Sequence, residues 1–345
     1  MHRAGMLEAT KEGSGGKRLL LIAHLDTVFP PNSLFQQFTS QGNVAKGPGV
    51  TDDKGGLVTL LYALKALNEV HALDTITLRI AILGDEEDSG KPTAISRQAL
   101  KTLATQSDIA LDFENATNTS SATVARRGIV HWTLTVNSPS MHSSQIFSSR
   151  AGFGAIFELA RILNAFRSTL DHEKYLTFNP GIILGGSALS YNTNTSEGTA
   201  QGKFNVIPTT ALARGDLRYM TENQLQAAIK KMQIITLQHL PLTTTTLTFD
   251  EGIPPMPVTD ANLKLLNRYS QASQDLGLGT ITAVDPSERG AGDISHIAAL
   301  MEANLAGLGP SGTGTHTEQE TLDLHSLTIN TERAAILIYR LTHPE

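Results

Sequence analysis

Histidine and carboxylate residues follow several hydrophobic segments of this sequence, at points where strands are expected to end. His24 closes the apolar run 18–24, and Asp26 lies two residues further on. A histidine that binds a metal usually donates its second ring N–H to a carboxylate, so a His-x-Asp pair can supply both groups. Taken alone, this pair fits a satisfied structural histidine better than a metal ligand.

A second acidic group lies among glycines in the segment 47–56, directly before a predicted helix. It contains Asp52 and Asp53. An aspartate at this position commonly accepts backbone N–H bonds as the N-cap of the helix. A carboxylate on such a loop could also bridge two metal ions, although ordinary turn chemistry explains the same glycines. The segment alone favours neither interpretation.

The third group is a run of four carboxylates at positions 85–88, which includes Glu86 and Glu87. Acidic runs are usually solvated turns, because like charges repel one another. This run directly follows an alternating hydrophobic strand that ends at Leu83, and that position favours a functional site. In a metallohydrolase, one such glutamate can bind the metal while its neighbour transfers protons.

Two more candidate segments complete the set. Asp112 and Glu114 end the short apolar segment 109–113, and His316 lies in a Gly- and Thr-rich loop before the last predicted helix. Together the groups offer two histidines and three carboxylates, which suit a two-metal site that binds zinc through nitrogen and oxygen. The chain has no cysteine, so disulfides, thiolate zinc sites, iron–sulfur clusters and a cysteine nucleophile are excluded.

The elements that must position these residues alternate in a β-α-β-α-β order. The predicted strands are 18–24, 74–83 and 109–113, and the predicted helices are 55–68 and 93–105. This order predicts a largely parallel sheet with helices on its faces. Because sites in such sheets form outside the carboxyl ends of the strands, the candidate ligands are expected to gather at one edge.

The pattern changes near Ser120 to β-α-β-β-α-β, which predicts a ferredoxin-like unit. Its predicted strands are 129–137, 181–184, 210–219 and 243–249, and its predicted helices are 152–167 and 222–237. The α/β pattern resumes after the Gly-Ile-Pro-Pro stretch at 252–255. We therefore expect a catalytic domain formed by residues 1–119 and 253–345, interrupted by an inserted domain at 120–252.

The composition and charge of the chain limit which partners and which cellular compartment are expected. The 345 residues include 27 Lys and Arg against 33 Asp and Glu, a net charge of −6, which argues against a nucleic-acid partner. Near the start, the longest apolar stretch is far too short to span a membrane, and residues 1–17 lack a signal-peptide core. A cytoplasmic protein without a membrane partner is expected, or a periplasmic one if a leader was removed.

Five segments, in this order, resemble the co-catalytic zinc exopeptidase and amidohydrolase family that includes glutamate carboxypeptidase, acetylornithine deacetylase, succinyl-diaminopimelate desuccinylase and the aminoacylases. They are HLDTVFP (24–30), GPGVTDDKGG (47–56), GDEEDSG (84–90), NVIP (205–208) and GTHTEQE (314–320). The resemblance extends from about residue 18 to the C-terminus. It is closest to glutamate carboxypeptidase, through the GPG-x-x-DDKGG and DEE segments.

The resemblance implies a centre of two zinc ions, for which cobalt or manganese could substitute. It assigns His24 and Glu114 to one ion, Glu87 and His316 to the other, and Asp52 to a position between them. The fold implied is a zinc-exopeptidase-type, mostly parallel α/β sheet flanked by helices, with an inserted ferredoxin-like α+β lid and dimerisation domain.

The resemblance also assigns the groups that act beside the metals. Glu86 would be the general base, which takes a proton from the attacking water and delivers it to the leaving amine. Asp26 would orient His24. The peptide bond between Asp52 and Asp53 would be cis. No side-chain nucleophile is needed in such a mechanism.

Residues outside the metal site would bind the substrate. His142 matches the lid histidine that stabilises the oxyanion, and Asn205 would also contact the substrate; the lid would form a homodimer. Arg289 matches an arginine that binds a substrate carboxylate, for which a planar guanidinium is well suited. A salt bridge of Arg289 with Glu288 or Asp293 is the structural alternative.

These features predict a metal-dependent hydrolase of amide bonds in small peptides, of the glutamate-carboxypeptidase type. An N-acyl-amino-acid deacylase with the same centre is the alternative, and a non-catalytic binding or scaffold homologue is a remote one, against which the complete set of ligands argues. Family members have a longer segment before the His-x-Asp strand, with a further helix and strand. We therefore expect a sheet edge that is less well covered here.

Overall fold

The computed structural model describes residues 4–193 and 195–343. The chain divides into two compact units. The first unit comprises Met1–Arg126 and Met256–Glu345, and the second unit comprises Arg127–Pro255. Both combine helices and sheets, so the predicted α/β class with an inserted α+β domain is confirmed.

The helices and strands are numbered in chain order. The strands are β1 (Met6–Lys11), β2 (Gly15–His24), β3 (Thr39–Gln41), β4 (Val44–Lys46), β5 (Ile76–Leu83), β6 (Ile109–Asp112), β7 (Ser121–Ala122), β8 (Gly128–Asn137), β9 (Thr177–Gly186), β10 (Ala188–Asn192), β11 (Glu197–Gln201), β12 (Thr210–Tyr219), β13 (Thr244–Phe249), β14 (Thr282–Ala283), β15 (Ala303–Leu305), β16 (Gly312–Thr313) and β17 (Thr321–Asp323). The α-helices are α1 (Lys54–Glu69), α2 (Thr93–Ser96), α3 (Gln98–Ala104), α4 (Gly154–Leu170), α5 (Glu222–Leu237), α6 (Asp260–Asp275) and α7 (Leu324–Thr342).

The main sheet of the first unit has, among the described residues, five strands in the order β1-β5-β2-β6-β15. All neighbours pair in parallel except β1, which runs antiparallel to β5. Successive side chains of β2 enter different cores: Leu19 and Leu21 pack with α1 and α7, whereas Leu20 and Ile22 pack with α3. Because both faces of the sheet are covered, its central strands are continuously apolar.

Strand β1 pairs antiparallel with β5 on the side of β5 that faces away from β2. Its residues pair from Met6 opposite Leu83 to Lys11 opposite Leu78. Strand β1 is therefore the edge strand at this side of the sheet, and five of its six residues are exposed. The strand is mostly exposed and lacks the alternation of apolar residues by which strands are recognised in sequence.

The observed division of the chain lies several residues beyond the predicted boundaries at 119/120 and 252/253. Strand β7 pairs in parallel with β14 of the first unit, and Thr123 and Arg126 pair with Ala306 and Met256. These backbone hydrogen bonds hold the segment 121–126 in the first unit. The predicted helix 93–105 is also divided, because Arg97 separates α2 from α3.

The second unit has the β-α-β-β-α-β order of a ferredoxin-like fold. Within residues 127–193 and 195–255, its main sheet has the order β13-β8-β12-β9, and every pair is antiparallel. Alternate residues of β8 are buried and pack against α4, as in the edge-to-face contact of Trp132 with Phe166 at 6.4 Å. Trp132 also stacks on Phe178 of β9 at 4.8 Å. This alternation is the sequence signal that predicts the unit.

A smaller sheet in the first unit has the order β16-β17-β4-β3. Thr321 of β17 pairs with Lys46 of β4, so the loop that precedes β17 lies beside the loop that follows β4. No helix in the part of the chain that the structure describes is long and apolar enough to cross a membrane.

Candidate metal centre

His24 is the last residue of β2, and its side chain is only 2% exposed. Its Nδ1 lies 3.3 Å from Oδ1 of Asp26, and its Nε2 lies 2.9 Å from Oδ1 of Asp52. The Asp26 carboxylate also accepts hydrogen bonds from the backbone N–H groups of Glu86 (3.2 Å) and Glu87 (2.9 Å). Asp26 therefore connects the histidine at the end of β2 to the acidic loop after β5.

Asp52 lies between the two predicted metal-binding histidines. Its Oδ1 faces Nε2 of His24 at 2.9 Å, and its Oδ2 faces Nε2 of His316 at 3.1 Å. The peptide bond between Asp52 and Asp53 is cis, as the resemblance implies. Asp53 stands at the N-cap position of α1, but its side chain makes no capping hydrogen bond. The structure thus does not support the N-cap interpretation of this segment.

Glu87 and His316 meet beside Asp52, with 3.2 Å between Oε2 of Glu87 and Nε2 of His316. Within residues 4–193 and 195–343, the buried Oε1 of Glu87 and the buried Oδ1 of Asp53 have no hydrogen-bond partner. A buried carboxylate oxygen without a partner is costly, and a cation held beside it would offset that cost.

Two overlapping groups of side chains have the spacing of metal ligands. One ligand atom from each of His24, Asp52 and Glu87 lies within 4.8 Å of the others, and the same holds for His24, Glu86 and Glu114. Both groups share His24. The residues predicted from separate strand ends are therefore brought together, and their nitrogen and oxygen atoms are of the kind that zinc binds.

The carboxylates are crowded enough to disfavour ionisation. Burial, together with the charge of Glu114, raises the pKa of Glu86 well above its ordinary value. Burial, reinforced by Asp52, raises the pKa of Glu87 to about 7, and burial together with Glu114 raises that of Asp112 to about 7. Such crowding of acids is typical of a site built to hold positive charge.

The pKa values of His24, His316 and Asp52 shift so that the charged form of each side chain is favoured. Burial alone would lower the pKa of His24, but the hydrogen bonds to Asp26 and Asp52 raise it above its ordinary value. Burial would raise the pKa of Asp52, but the contacts with His24 and His316 lower it. The hydrogen bond to Asp52 also raises the pKa of His316. The contacts with the two histidines therefore favour the charged form of the Asp52 carboxylate.

Two arginines approach Glu114, and sequence analysis identified only one of them. Arg126 contacts the Glu114 carboxylate and lies 3.4 Å from Oδ2 of Asp112, while Nη2 of Arg289 lies 3.3 Å from Oε2 of Glu114. A Cβ on Gly292 would lie 2.8 Å from both Arg126 and Glu114, so this approach needs glycine. The only sequence signal for Arg126 is its place before an amphipathic strand.

Arg97 is a second missed residue, and it is fully buried. Its guanidinium contacts the carboxylates of Asp85 at 2.7 Å and Asp293 at 2.6 Å and donates to Ser89 Oγ at 2.8 Å. It thereby fixes the loop that carries Glu86 and Glu87. Asp293 pairs with Arg97, and Arg289 pairs with Glu114, so the expected alternative of an Arg289–Asp293 salt bridge is not the arrangement found.

In the second unit, the segments that contain His142 and Asn205 lie side by side. The Asn205 carbonyl accepts a hydrogen bond from the Ser143 N–H at 2.9 Å. The backbone of His142 forms an isolated antiparallel β-bridge with that of Val206. Nδ1 of His142 accepts from the Ser144 N–H at 3.3 Å and lies 2.8 Å from Ser144 Oγ. Two residues that are 63 positions apart in sequence are thus neighbours, and both are exposed.

The α/β fold gathers histidines and carboxylates from the carboxyl ends of its parallel strands and from loops of the small antiparallel sheet, and this set of donors suits a metal-dependent hydrolase. The chain belongs to Peptidase family M20/M25/M40, whose profile matches residues 20–340. It is therefore a metallopeptidase or amidohydrolase of that family, and the resemblance noted in the sequence is confirmed.

Individual relatives agree with this assignment. The chain is 28% identical over 338 residues to carboxypeptidase G2 of Pseudomonas sp. (strain RS-16). The aligned region covers 96% of this chain and 75% of the relative. The fold of this chain is similar to that of aminopeptidase PepT from Bacillus cereus, with a TM-score of 0.79 and 17% identity. The match covers 98% of this chain and 84% of PepT. The fold is also similar to the Bacillus subtilis YXEP protein, a dinuclear metal-binding peptidase, with a TM-score of 0.65, 16% identity and coverage of 97% and 85%.

Proposed function

We propose that the protein is a two-metal carboxypeptidase, which hydrolyses the amide bond next to the C-terminal residue of a small peptide. The observation that carries the proposal is the placement of Asp52, whose two carboxylate oxygens face one histidine each at 2.9 and 3.1 Å. A carboxylate between two ligand sets is what a pair of metal ions requires. The similarity to carboxypeptidase G2 supports the choice of substrate class.

The residues present fit a dinuclear centre, because the buried Oε1 of Glu87 lacks a hydrogen-bond partner in the described chain and the donors are nitrogen and oxygen. His24 and Glu114 would hold one zinc ion, Glu87 and His316 the other, and Asp52 both; cobalt or manganese could replace zinc. When bound, the metal ions would lower the pKa of water and polarise the scissile carbonyl.

Glu86 is proposed as the general base. It takes a proton from the attacking water and delivers it to the nitrogen of the leaving amine. Burial and the nearby charge of Glu114 raise its pKa well above the ordinary value, so this carboxylate takes up a proton more readily than an exposed glutamate, as a general base must. Its backbone N–H donates to Asp26, so the group that orients His24 also holds the base.

Arg289 is proposed to bind the carboxylate of the C-terminal residue. Its side chain is only 12% exposed and has one ion-pair contact, at 3.3 Å, with Glu114. Its buried Nε has no hydrogen-bond partner in the described parts of the chain. A guanidinium with unused donors is suited to a bidentate contact with a carboxylate.

His142 and Asn205 are proposed to contact the substrate carbonyl from the second unit. Because the Ser144 N–H can only donate, Nδ1 of His142 is the acceptor, and the proton of the neutral ring lies on Nε2. An imidazole in this form can donate a hydrogen bond to a developing oxyanion.

We also propose a homodimer formed through the second unit. Phe147 and Phe157 are 61% and 53% exposed, and their rings lie 5.8 Å apart beside Phe153. A cluster of exposed aromatic side chains is typical of a protein–protein interface. Light scattering of the purified protein should give twice the mass of one chain.

A hydrolysis screen tests the proposed function. The purified protein, stripped of metal and reloaded with zinc, cobalt or manganese, would be given dipeptides with free or amidated C-termini and N-acyl amino acids. We expect metal-dependent cleavage of the free-carboxylate dipeptides. Equal cleavage of the amidated peptides would reject the carboxypeptidase assignment, preference for N-acyl amino acids would identify a deacylase, and no hydrolysis with any metal would reject the enzyme.

A further inference from the structure

Glu320 is a buried carboxylate that belongs to none of the roles above. Its side chain lies in the first unit and the residue is only 1% exposed. The carboxylate accepts three backbone hydrogen bonds, from the N–H of Gly49 at 2.8 Å, of Thr51 at 2.9 Å and of Asp52 at 3.0 Å. A buried charge is tolerated only when it is hydrogen-bonded, and these three donors come from one loop.

The strand pairing explains how Glu320 reaches that loop. Thr321 of β17 pairs with Lys46 of β4, so the residue before Thr321 lies beside the start of the segment 47–53. The same turn carries His316. Its backbone is closed by hydrogen bonds from the Thr317 N–H to the Gly314 carbonyl and from the Glu320 N–H to the Thr317 carbonyl, both 3.0 Å. One short turn therefore holds both His316 and the carboxylate that binds the Asp52 loop.

We propose that Glu320 is a positioning residue, which joins the His316 turn to the Asp52 loop and thereby sets the spacing between these two metal ligands. The proposal rests on the proposed function, because it assigns His316 and Asp52 to the same metal ion. Nε2 of His316 and Oδ2 of Asp52 are 3.1 Å apart. A shift of either loop would change this separation directly.

A neutral side chain cannot replace the carboxylate. Both oxygens of Glu320 accept: Oε2 from Gly49, and Oε1 from Thr51 and Asp52. A glutamine of the same size has one acceptor oxygen and one NH2 group, which would face a backbone N–H. At least one loop N–H would lose its acceptor, and charge-assisted bonds would become neutral ones.

The test compares Glu320→Gln with Glu318→Gln, which makes the same chemical change on an exposed residue of the same turn. Zinc affinity would be measured by competition with a chelator, and the geometry of the site by the visible absorption spectrum of the cobalt-loaded protein. We expect Glu320→Gln to bind zinc about 10- to 100-fold more weakly, the usual effect of losing a group that orients metal ligands, with a changed cobalt spectrum. Glu318→Gln should match the wild type.

A purely structural role would give a different result. Glu320→Gln would then unfold at a lower temperature without metal, while its zinc affinity and cobalt spectrum would equal those of the wild type. That outcome would overturn the proposal. If the wild-type protein itself bound no metal, the proposed function would fail. If the wild type bound metal and Glu320→Gln bound it equally well, only the Glu320 proposal would fail, so the two failures are distinguishable.

Hydrogen exchange of the wild-type protein gives a test that does not depend on the folding of the variant. The amide protons of Gly49, Thr51 and Asp52 should exchange much more slowly than those of an unstructured peptide, both with and without metal. Exchange of these three amides at the unprotected rate would show that the carboxylate does not hold the loop, and would overturn the proposal.

Discussion

The proposed functional groups of the first and second units are held in different ways. In the first unit, His24 and Glu114 are buried although His316 is 56% exposed, and the Asp26 carboxylate, proposed to orient His24, receives two backbone N–H groups and a histidine ring. In the second unit, His142 and Asn205 are exposed and are held by backbone pairing and by contacts with Ser144.

This difference indicates different tasks. Buried, crowded charges cannot reorganise cheaply, so they suit a centre whose geometry must exist before the substrate arrives. Exposed side chains on loops suit contacts that form only with the substrate. If the comparison is right, substitutions in the first unit should affect chemistry and metal binding, whereas those in the second should affect turnover with the metal centre intact.

The largest effect is expected for Glu86→Gln. Removal of the general base should lower kcat by about 10²–10⁴-fold, while zinc affinity stays near that of the wild type, because Glu86 is not among the proposed ligands. Steady-state kinetics and metal analysis would measure both. Asp88→Asn, an exposed carboxylate of the same run, is the matched control. A Glu86→Gln protein with wild-type kcat would end the general-base assignment.

The next largest effect is expected for His142→Ala. Loss of one oxyanion donor should lower kcat by about 10²–10³-fold and leave metal content unchanged, whereas His172→Ala, on an exposed histidine of the same unit, should have no effect. Mixing His142→Ala with Glu86→Gln subunits should restore activity only if His142 acts on the partner's site. An unchanged kcat would show that His142 of the second unit takes no part in the reaction.

A smaller effect, on binding, is expected for Arg289→Ala. Loss of a charge-assisted contact should raise KM about 10- to 100-fold for dipeptides with a free carboxylate. KM for amidated peptides should stay the same, which provides the internal control. Arg289→Lys should recover part of the loss, because it keeps the charge without the bidentate geometry. A KM unchanged for both kinds of substrate would show that Arg289 serves only to neutralise Glu114.

The smallest effect is expected for Ser144→Ala. This change removes the Oγ contact with His142 but keeps the backbone N–H that defines Nδ1 as the acceptor. One lost hydrogen bond of this kind corresponds to about 2- to 12-fold in kcat. Nitrogen chemical shifts of the His142 ring would report the tautomer directly, with Ser143→Ala as control. A ring protonated on Nδ1 in the wild type would contradict the proposed donor.

Local periodicity explains which parts of the fold were predictable. The alternation in β8 and the spacing of leucines in α1 identify those elements, because each depends on neighbours within a few residues. Strand β1 has no such pattern; it exists because β5 offers it an edge. The helix predicted at 93–105 is divided at Arg97, whose buried guanidinium is held by Asp293, 196 positions away.

The candidate metal-site residues could be found from the sequence alone, since residue type decides which atoms can bind a metal or move a proton, and the resemblance to the family implied which residue would take which role. The tertiary structure alone decided which groups support them. Arg126, Arg97 and Glu320 each carry a buried charge, and a buried charge must find its partners in three dimensions. Those partners are supplied by strand pairing and by loops distant in sequence, which no local pattern records.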